Sequence, residues 1–161
     1  MHRPKLLLVD DETAFIEILT QRLRRRGFDV SCIDSGQGAL NCMEEQSDLD
    51  VVILDLKMPG LNGIETIQRI KHKWPLIEVI LLTGHATVGS AVDALKHGAY
   101  DYLMKPYELE ELTVKIRAAA HRKRHHEAQL REVLTKPYIS ERERDDSISR
   151  ILNAARRGNS D

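Results

Sequence analysis

Hydrophobic residues come in short runs along this chain, and each run stops abruptly at polar residues. Lys5-Leu6-Leu7-Leu8-Val9 ends in Asp10, Asp11 and Glu12, and Val51-Val52-Ile53-Leu54 ends in Asp55, with Pro59-Gly60 breaking the chain just beyond. Glu78 to Leu82 ends at Thr83-Gly84, and Tyr100 to Met104 ends at Lys105-Pro106. Continuous apolar runs of this length suit strands buried on both faces, as in a parallel sheet covered by helices. Asp29 to Asp34 alternates instead around Val30, Cys32 and Ile33, which predicts a further strand.

Between these runs the period changes to that of helices. Phe15, Ile16, Leu19 and Leu23 share one face, and Arg24-Arg25-Arg26 followed by Gly27 suit a helix C-terminus. Ser35 predicts an N-cap for a helix through about Glu45. Asn62-Gly63-Ile64-Glu65 has the N-x-x-E form of a capping box and opens a helix carrying Ile64, Ile67 and Ile70, closed before Pro75. Val88, Ala91, Val92 and Leu95 form the stripe of the next helix, which Gly98 ends; Leu109, Leu112, Thr113, Ile116 and Ala120 mark the last helix of the fold. Strands and helices alternating five times predict a doubly wound α/β sandwich with a five-stranded parallel sheet and right-handed crossovers. The strand order 2-1-3-4-5 is borrowed from known sheets of this kind and is not read from the residues.

Composition narrows the picture. With 161 residues the chain has room for one domain with a proper core and not for two ordinary ones. Hydrophobic residues at 42% and charged residues at 30% describe a globular protein, and a formal net charge of −1 gives no overall attraction to nucleic acid or membrane. Cys32 and Cys42 lack metal-ligand spacing and read as reduced, mostly buried thiols. The apolar runs are too short for a membrane span or a signal-peptide core, so the expected location is cytoplasmic.

The strand ends then raise a chemical question. The first brings Asp10 and Asp11 to one edge, the third Asp55, the fourth Thr83 and the fifth Lys105. Ligands of open α/β sheets bind outside the carboxyl ends of the strands. Asp55 reads either as a helix-start residue or as a reactive group; taken singly, Thr83 reads better as a capping residue and Lys105 as a solvated charge, and only their joint position lifts them. Converging carboxylates repel one another unless a cation joins them, and Mg²⁺, held by carboxylates and waters, serves phosphate chemistry. A lysine and a hydroxyl suit phosphoryl oxygens, and an Asp carboxylate is a covalent nucleophile toward phosphorus. The residues point to a Mg²⁺-assisted aspartyl phosphate on Asp55.

On these residues the chain resembles the response-regulator receiver domains of two-component signalling. The matching set is Asp10-Asp11, Asp55 with Lys57-Met58-Pro59-Gly60, Thr83-Gly84, Lys105-Pro106 and, at the family's switch-aromatic position, Tyr102. The resemblance implies the flavodoxin-like receiver fold, here a five-stranded sheet flanked by five helices over residues 1–122. It implies that Asp55 accepts a phosphoryl group from a sensor histidine kinase or phosphotransfer protein. Asp11 then binds Mg²⁺ (Mn²⁺ as a substitute) directly, Asp10 binds it largely through water, and Lys57 contributes its backbone carbonyl. Thr83 and Lys105 hold the phosphoryl oxygens, and Lys105-Pro106 is a cis peptide. Thr83 and Tyr102 form the switch, and the readout is a changed surface on the fourth helix, fifth strand and fifth helix. His85 and Lys57 fall where the family varies phosphate lifetime; two exposed loop residues without a kinetic role is the competing reading.

The rest of the chain carries weaker signals. His121 and His125 have a zinc-compatible i, i+4 spacing without an evident third ligand, so a solvated basic helix end is the expectation. Helix-compatible sequence continues through about Leu134 until Pro137 breaks it. After the charge-rich Glu141 to Asp146, a short amphipathic helix with Ile148, Ile151, Leu152 and Ala155 is compatible with the pattern. Residues 123–161 are expected to be a C-terminal extension, helical and then partly disordered, without a recognisable output domain. The alternative gives the extension a dimerising or docking role, with a phosphorylation-dependent homodimer.

The overall expectation is a phosphoacceptor switch that catalyses only its own phosphorylation and dephosphorylation, and controls partner binding or a phosphorelay. No membrane partner or direct nucleic-acid contact is expected. The alternative is the receiver part of a transcription regulator acting through its tail, a further output domain or a partner protein. A phosphatase acting on external substrates is disfavoured, because Lys57 stands where such enzymes carry a second acid.

Overall fold

A computed structural model describes residues 2–56, 62–84 and 88–159. Strands and helices alternate as β1 (Lys5–Val9), α1 (Thr13–Arg25), β2 (Asp29–Ile33), α2 (Gly36–Glu45), β3 (Val51–Leu54), α3 (Gly63–Lys73), β4 (Glu78–Thr83), α4 (Val88–Lys96), β5 (Asp101–Met104) and α5 (Leu109–Thr135). A sixth helix, α6 (Glu141–Arg156), follows. The sheet is parallel throughout, in the order β2-β1-β3-β4-β5.

The alternation of side chains along each strand divides the core into two layers. Leu7, Val9, Val52, Leu54, Val79 and Leu81 face one side and pack with Ala39, Met43, Ile67, Ile70 and Ala94 of α2, α3 and α4. Leu6, Leu8, Val51, Ile53, Ile80 and Leu82 face the other and meet Leu19 and Leu23 of α1 and Leu112, Ile116 and Ala119 of α5. Every residue of β3 is buried, as its unbroken apolar run requires.

Local signals placed the helix ends well. Ser35 caps α2 by accepting from the Gly38 N–H, Asn62 caps α3 by accepting from that of Glu65, and Gly27 follows α1 with φ 91°. Two details differ from the pattern reading. Val92 is 43% exposed, because α4 turns Ala91 and Ala94 inward against the sheet. Cys32 is exposed on the edge strand β2 and Cys42 is half-buried; both are free thiols.

The C-terminal extension is helical through most of its length. α6 begins at Glu141, ahead of the Ile148 stripe, because Ser140 and Glu143 form a reciprocal capping box that puts the acidic stretch in the first turns. Acidic residues there also suit the positive end of the helix dipole. α5 and α6 pack against each other below the sheet's amino edge, where the strands begin.

That edge is a buried network of charges. Glu78 opens β4 fully buried; the Arg122 guanidinium donates to its Oε1 at 2.7 Å, and the Lys71 ammonium lies 3.9 Å away. Lys71 also donates to the carbonyls of Pro75 (2.8 Å) and Ile77 (3.0 Å). Burial pushes Lys71 down to about 8, against the attraction of Glu78, and pushes Glu78 above the usual carboxylate range. Nearby, buried Asp50 accepts from the Lys5 N–H at 2.8 Å and pairs with Lys123 of α5 at 3.3 Å. No described helix is long and apolar enough to cross a membrane.

Candidate functional site

The opposite, carboxyl edge of the sheet carries Asp10, Asp11, Asp55, Thr83 and Lys105. Parallel pairing aligns Val9 with Leu54, Leu54 with Leu81 and Thr83 with Met104, so the residues that follow these strands leave along one edge. The ladder continues one step into the loops. The Asp10 N–H donates to Ile33 O (3.1 Å), that of Asp55 to Val9 O (3.0 Å), and that of Lys105 to Thr83 O (3.1 Å). These bonds fix the backbones of the three residues before their side chains do anything.

The structure brings together Asp10, Asp11, Asp55, Thr83 and Lys105. Asp10, Asp11 and Asp55 each offer a carboxylate oxygen within 4.8 Å of the others. Asp10 and Asp55 are 4% and 2% exposed, whereas Asp11 is open to solvent. The Thr83 hydroxyl, fully buried, donates to Asp55 Oδ1 at 2.7 Å. The Lys105 ammonium donates to Asp10 Oδ2 at 2.9 Å, and the Lys105–Pro106 peptide is cis.

Two further residues position the lysine. Its ammonium lies 3.7 Å from Glu12 Oε1 and 3.9 Å from the centre of the Phe15 ring. A cation over an aromatic face is attracted to the ring's negative surface. Glu12 was visible as the third acid after β1. Phe15 read only as part of the α1 stripe, and its second role depends on the Lys105 side chain crossing from β5, which no local spacing reveals.

The donor set fits a hard divalent cation: three carboxylates converge, two of them buried, and the third faces solvent, from which waters would complete the coordination of a bound ion. It is the one group of three or more His, Cys, Asp or Glu ligands found among the described residues. His121 and His125 are both exposed and have no such third partner there. Lys57 and His85 lie outside the described residues. Tyr102 is 38% exposed and lines a groove of about 590 Å³ with Met104, Pro106, Glu111 and Lys115.

The fold and this edge define a class, and comparison with known proteins names it. Residues 6–117 match the model of the response regulator receiver domain, and the chain belongs to that family of phosphoacceptor switches. It is 36% identical over 118 residues to the transcriptional regulatory protein TctD of Salmonella typhimurium, covering 73% of this chain and 52% of that protein. Identity to the transcriptional regulatory protein ZraR of Escherichia coli is 39% over 117 residues, covering 72% and 26% of the two chains. Among solved structures, a response regulator receiver domain protein from Clostridium thermocellum superposes with a TM-score of 0.72 at 36% identity, covering 75% of this chain and 97% of that one. The chain thus spans a quarter to a half of the length of these two curated relatives.

Proposed function

We propose that Asp55 is the phosphoacceptor of a two-component response regulator and that transfer requires Mg²⁺. The observation that carries this reading is the buried Asp55 carboxylate, held by Thr83 at 2.7 Å beside Asp10, Asp11 and Lys105, the lysine that follows β5. A carboxylate oxygen of Asp55 attacks the phosphorus of a kinase phosphohistidine. The new O–P bond forms as the P–N bond breaks, and the departing imidazole keeps that electron pair and takes up a proton. Asp11, Asp55 and the backbone carbonyl of Lys57 would hold the ion, with Asp10 reaching it largely through water, and its charge would offset the negative charge on the phosphoryl oxygens.

The remaining groups act on the product. Thr83 exchanges its bond to Asp55 for one to a phosphoryl oxygen, and Lys105 leaves Asp10 to pair with another. Tyr102, half-exposed at present, turns toward the space that Thr83 vacates, and the face of α4, β5 and α5 changes with it. His85 and Lys57 govern water access to the acyl phosphate, so His85→Ala changes its half-life. The same switch serves a stand-alone partner-binding protein or a longer transcription regulator; the names of TctD and ZraR favour the second context.

Phosphotransfer from a small-molecule phosphodonor, followed by intact mass, tests the reading. Wild-type chain gains one phosphoryl group with Mg²⁺, and loses that ability with a chelator. Asp55→Asn gains none under any condition; continued uptake by this variant would show that another residue is the acceptor.

A further inference from the structure

The end of α6 is wedged into the base of the receiver at a joint between two backbones. A Cβ on Gly158 would lie 2.2 Å from the carbonyl oxygen of Ala99 and 3.1 Å from that of Leu95. A Cβ on Gly98 would lie 2.5 Å from the carbonyl oxygen of Arg156 and 3.0 Å from Lys71 Cγ. Gly98 also has φ +105°, which L side chains rarely adopt. No side chain fits at either glycine, so the segment after α6 and the α4–β5 turn meet without slack. Ala155 in the last turn of α6 is fully buried.

A second tie runs through one guanidinium. Arg122 Nη2 donates to the carbonyls of Ala154 and Arg157, both at 3.0 Å, while Nη1 of the same group holds Glu78 at 2.7 Å. α6 therefore grips the first residue of β4 through Arg122 and the lead-in to β5 through the glycine joint. The far ends of those same two strands carry Thr83 and Lys105, which clasp Asp55 and Asp10. The two strands that deliver Thr83 and Lys105 to the acidic site meet α6 at their other ends.

We infer that α6 is a releasable strap whose docking is coupled to the phosphorylation state of Asp55. The inference rests on the phosphoacceptor reading above. A phosphoryl group on Asp55 replaces both the Thr83–Asp55 and Lys105–Asp10 bonds, and so resets the carboxyl ends of β4 and β5. A joint closed by two glycines fits one placement of the α4–β5 turn and is weakened in any other. Docked α6 thus favours the unphosphorylated arrangement, and by reciprocity the phosphoryl group favours undocked α6. Release would present Ile148, Ile151, Leu152 and Ala155 to solvent as a segment free to bind elsewhere.

Amide hydrogen exchange on the full wild-type chain tests this, with Mg²⁺ alone and with Mg²⁺ plus beryllium fluoride as the phosphoryl mimic. The expected result is exchange in residues 141–156 that is faster by about fivefold or more with the mimic, the lower end of ordinary coupling between sites, while the amides of β1 and β3 keep their protection. Slowed exchange around Asp10, Asp55 and Thr83 reports that the mimic is bound. Bound mimic with unchanged exchange in α6 overturns the strap. A mimic that does not bind at all overturns the phosphoacceptor reading itself, and the strap with it. Gly158→Val supplies the converse: with no side chain of the acidic site altered, it should bind beryllium fluoride about fivefold more tightly or better. Equal affinity in a folded Gly158→Val chain, with its α6 amides shown to exchange freely, also overturns the coupling.

Discussion

The two edges of the sheet carry charges of the same kinds and treat them in opposite ways. At the amino edge Glu78 and Asp50 are buried against Arg122, Lys71 and Lys123, and the two C-terminal helices lie over them. At the carboxyl edge Asp10, Asp11 and Asp55 crowd within 4.8 Å, with one ammonium on Asp10 and one carboxylate open to water. Cations of the chain outnumber acids in the first cluster, and acids outnumber cations in the second. A network closed by its own chain needs no ion from outside; one left short of positive charge could hold a cation. The difference separates structural charge from functional charge without appeal to ancestry.

The largest expected effect breaks the amino edge. Glu78→Ala leaves buried Lys71 and half-buried Arg122 without their acid, and loss of one partner of a buried pair costs about 3–5 kcal/mol. Urea unfolding should show that loss. At urea concentrations where the variant remains folded, it should still take up phosphoryl groups from a small donor. A loss under 1 kcal/mol would mean that water reaches this network and that it does not differ in kind from the other edge.

Lys71 sharpens the same contrast through pH. Its folded value of about 8 lies below the ordinary 10.5, so the fold disfavours its charged form. Below pH 8 both folded and unfolded chains hold the proton, and the fold bears the whole cost, on the order of 3 kcal/mol. Between pH 8 and 10.5 the folded chain sheds the proton while the unfolded chain keeps it, so this contribution to stability rises with pH. The difference in unfolding free energy between wild type and Lys71→Met should therefore shift in favour of wild type across that window. A difference that stays flat would place Lys71 in contact with water.

At the carboxyl edge the corresponding test is metal addition. Mg²⁺ at a hundred times its dissociation constant stabilises a folded chain by about 2.7 kcal/mol if it binds only that form. Asp11→Asn should remove most of this gain and leave stability without Mg²⁺ within about 0.5 kcal/mol of wild type, as expected of an exposed substitution. The thermal midpoint with and without Mg²⁺ measures both. A variant that still gains the full stabilisation would take Asp11 out of the metal set.

The carboxyl edge was legible in the sequence, and the amino edge was not. Each apolar run ended in a residue with a distinct chemistry, and parallel pairing needs only the right strand order to bring those ends together. Asp10, Asp11, Asp55, Thr83 and Lys105 therefore met as expected. Glu78 read only as the start of β4, Lys71 carried no reading, and Arg122 belonged to a basic helix end expected to be solvated, because nothing in their spacing reports that α6 comes back to lie beside them. Arg122 stood in a basic run of α5, yet it is the residue that ties β4 to α6. One signal was present and readable: Ser140-x-x-Glu143 announces the start of α6 before any apolar stripe appears. Val92 failed for a simpler reason, since on a short helix with two alanines the inner face is set by which small side chains fit the sheet.

The smallest effect probes whether the amino edge is one unit with the rest. Ser140 supplies its hydroxyl oxygen to the Glu143 N–H at 3.2 Å, and Glu143 answers by accepting the Ser140 N–H at 2.9 Å. That hydrogen bonding also holds the Glu143 carboxyl below the usual range, so the cap weakens as pH falls toward and through its lowered value. Ser140→Ala should cost the helix about 1 kcal/mol. If α6 opens on its own, only its amides exchange faster, by about fivefold at that cost, while those of β3 and β4 and the response to Mg²⁺ stay as in wild type. If α6 unfolds only together with the sheet, the whole chain loses the same 1 kcal/mol in urea and all of its slowest amides accelerate together. The first pattern is what a detachable closure of the amino edge requires. The second would make both edges parts of a single cooperative core, with their charges differing in composition and not in the freedom of what covers them.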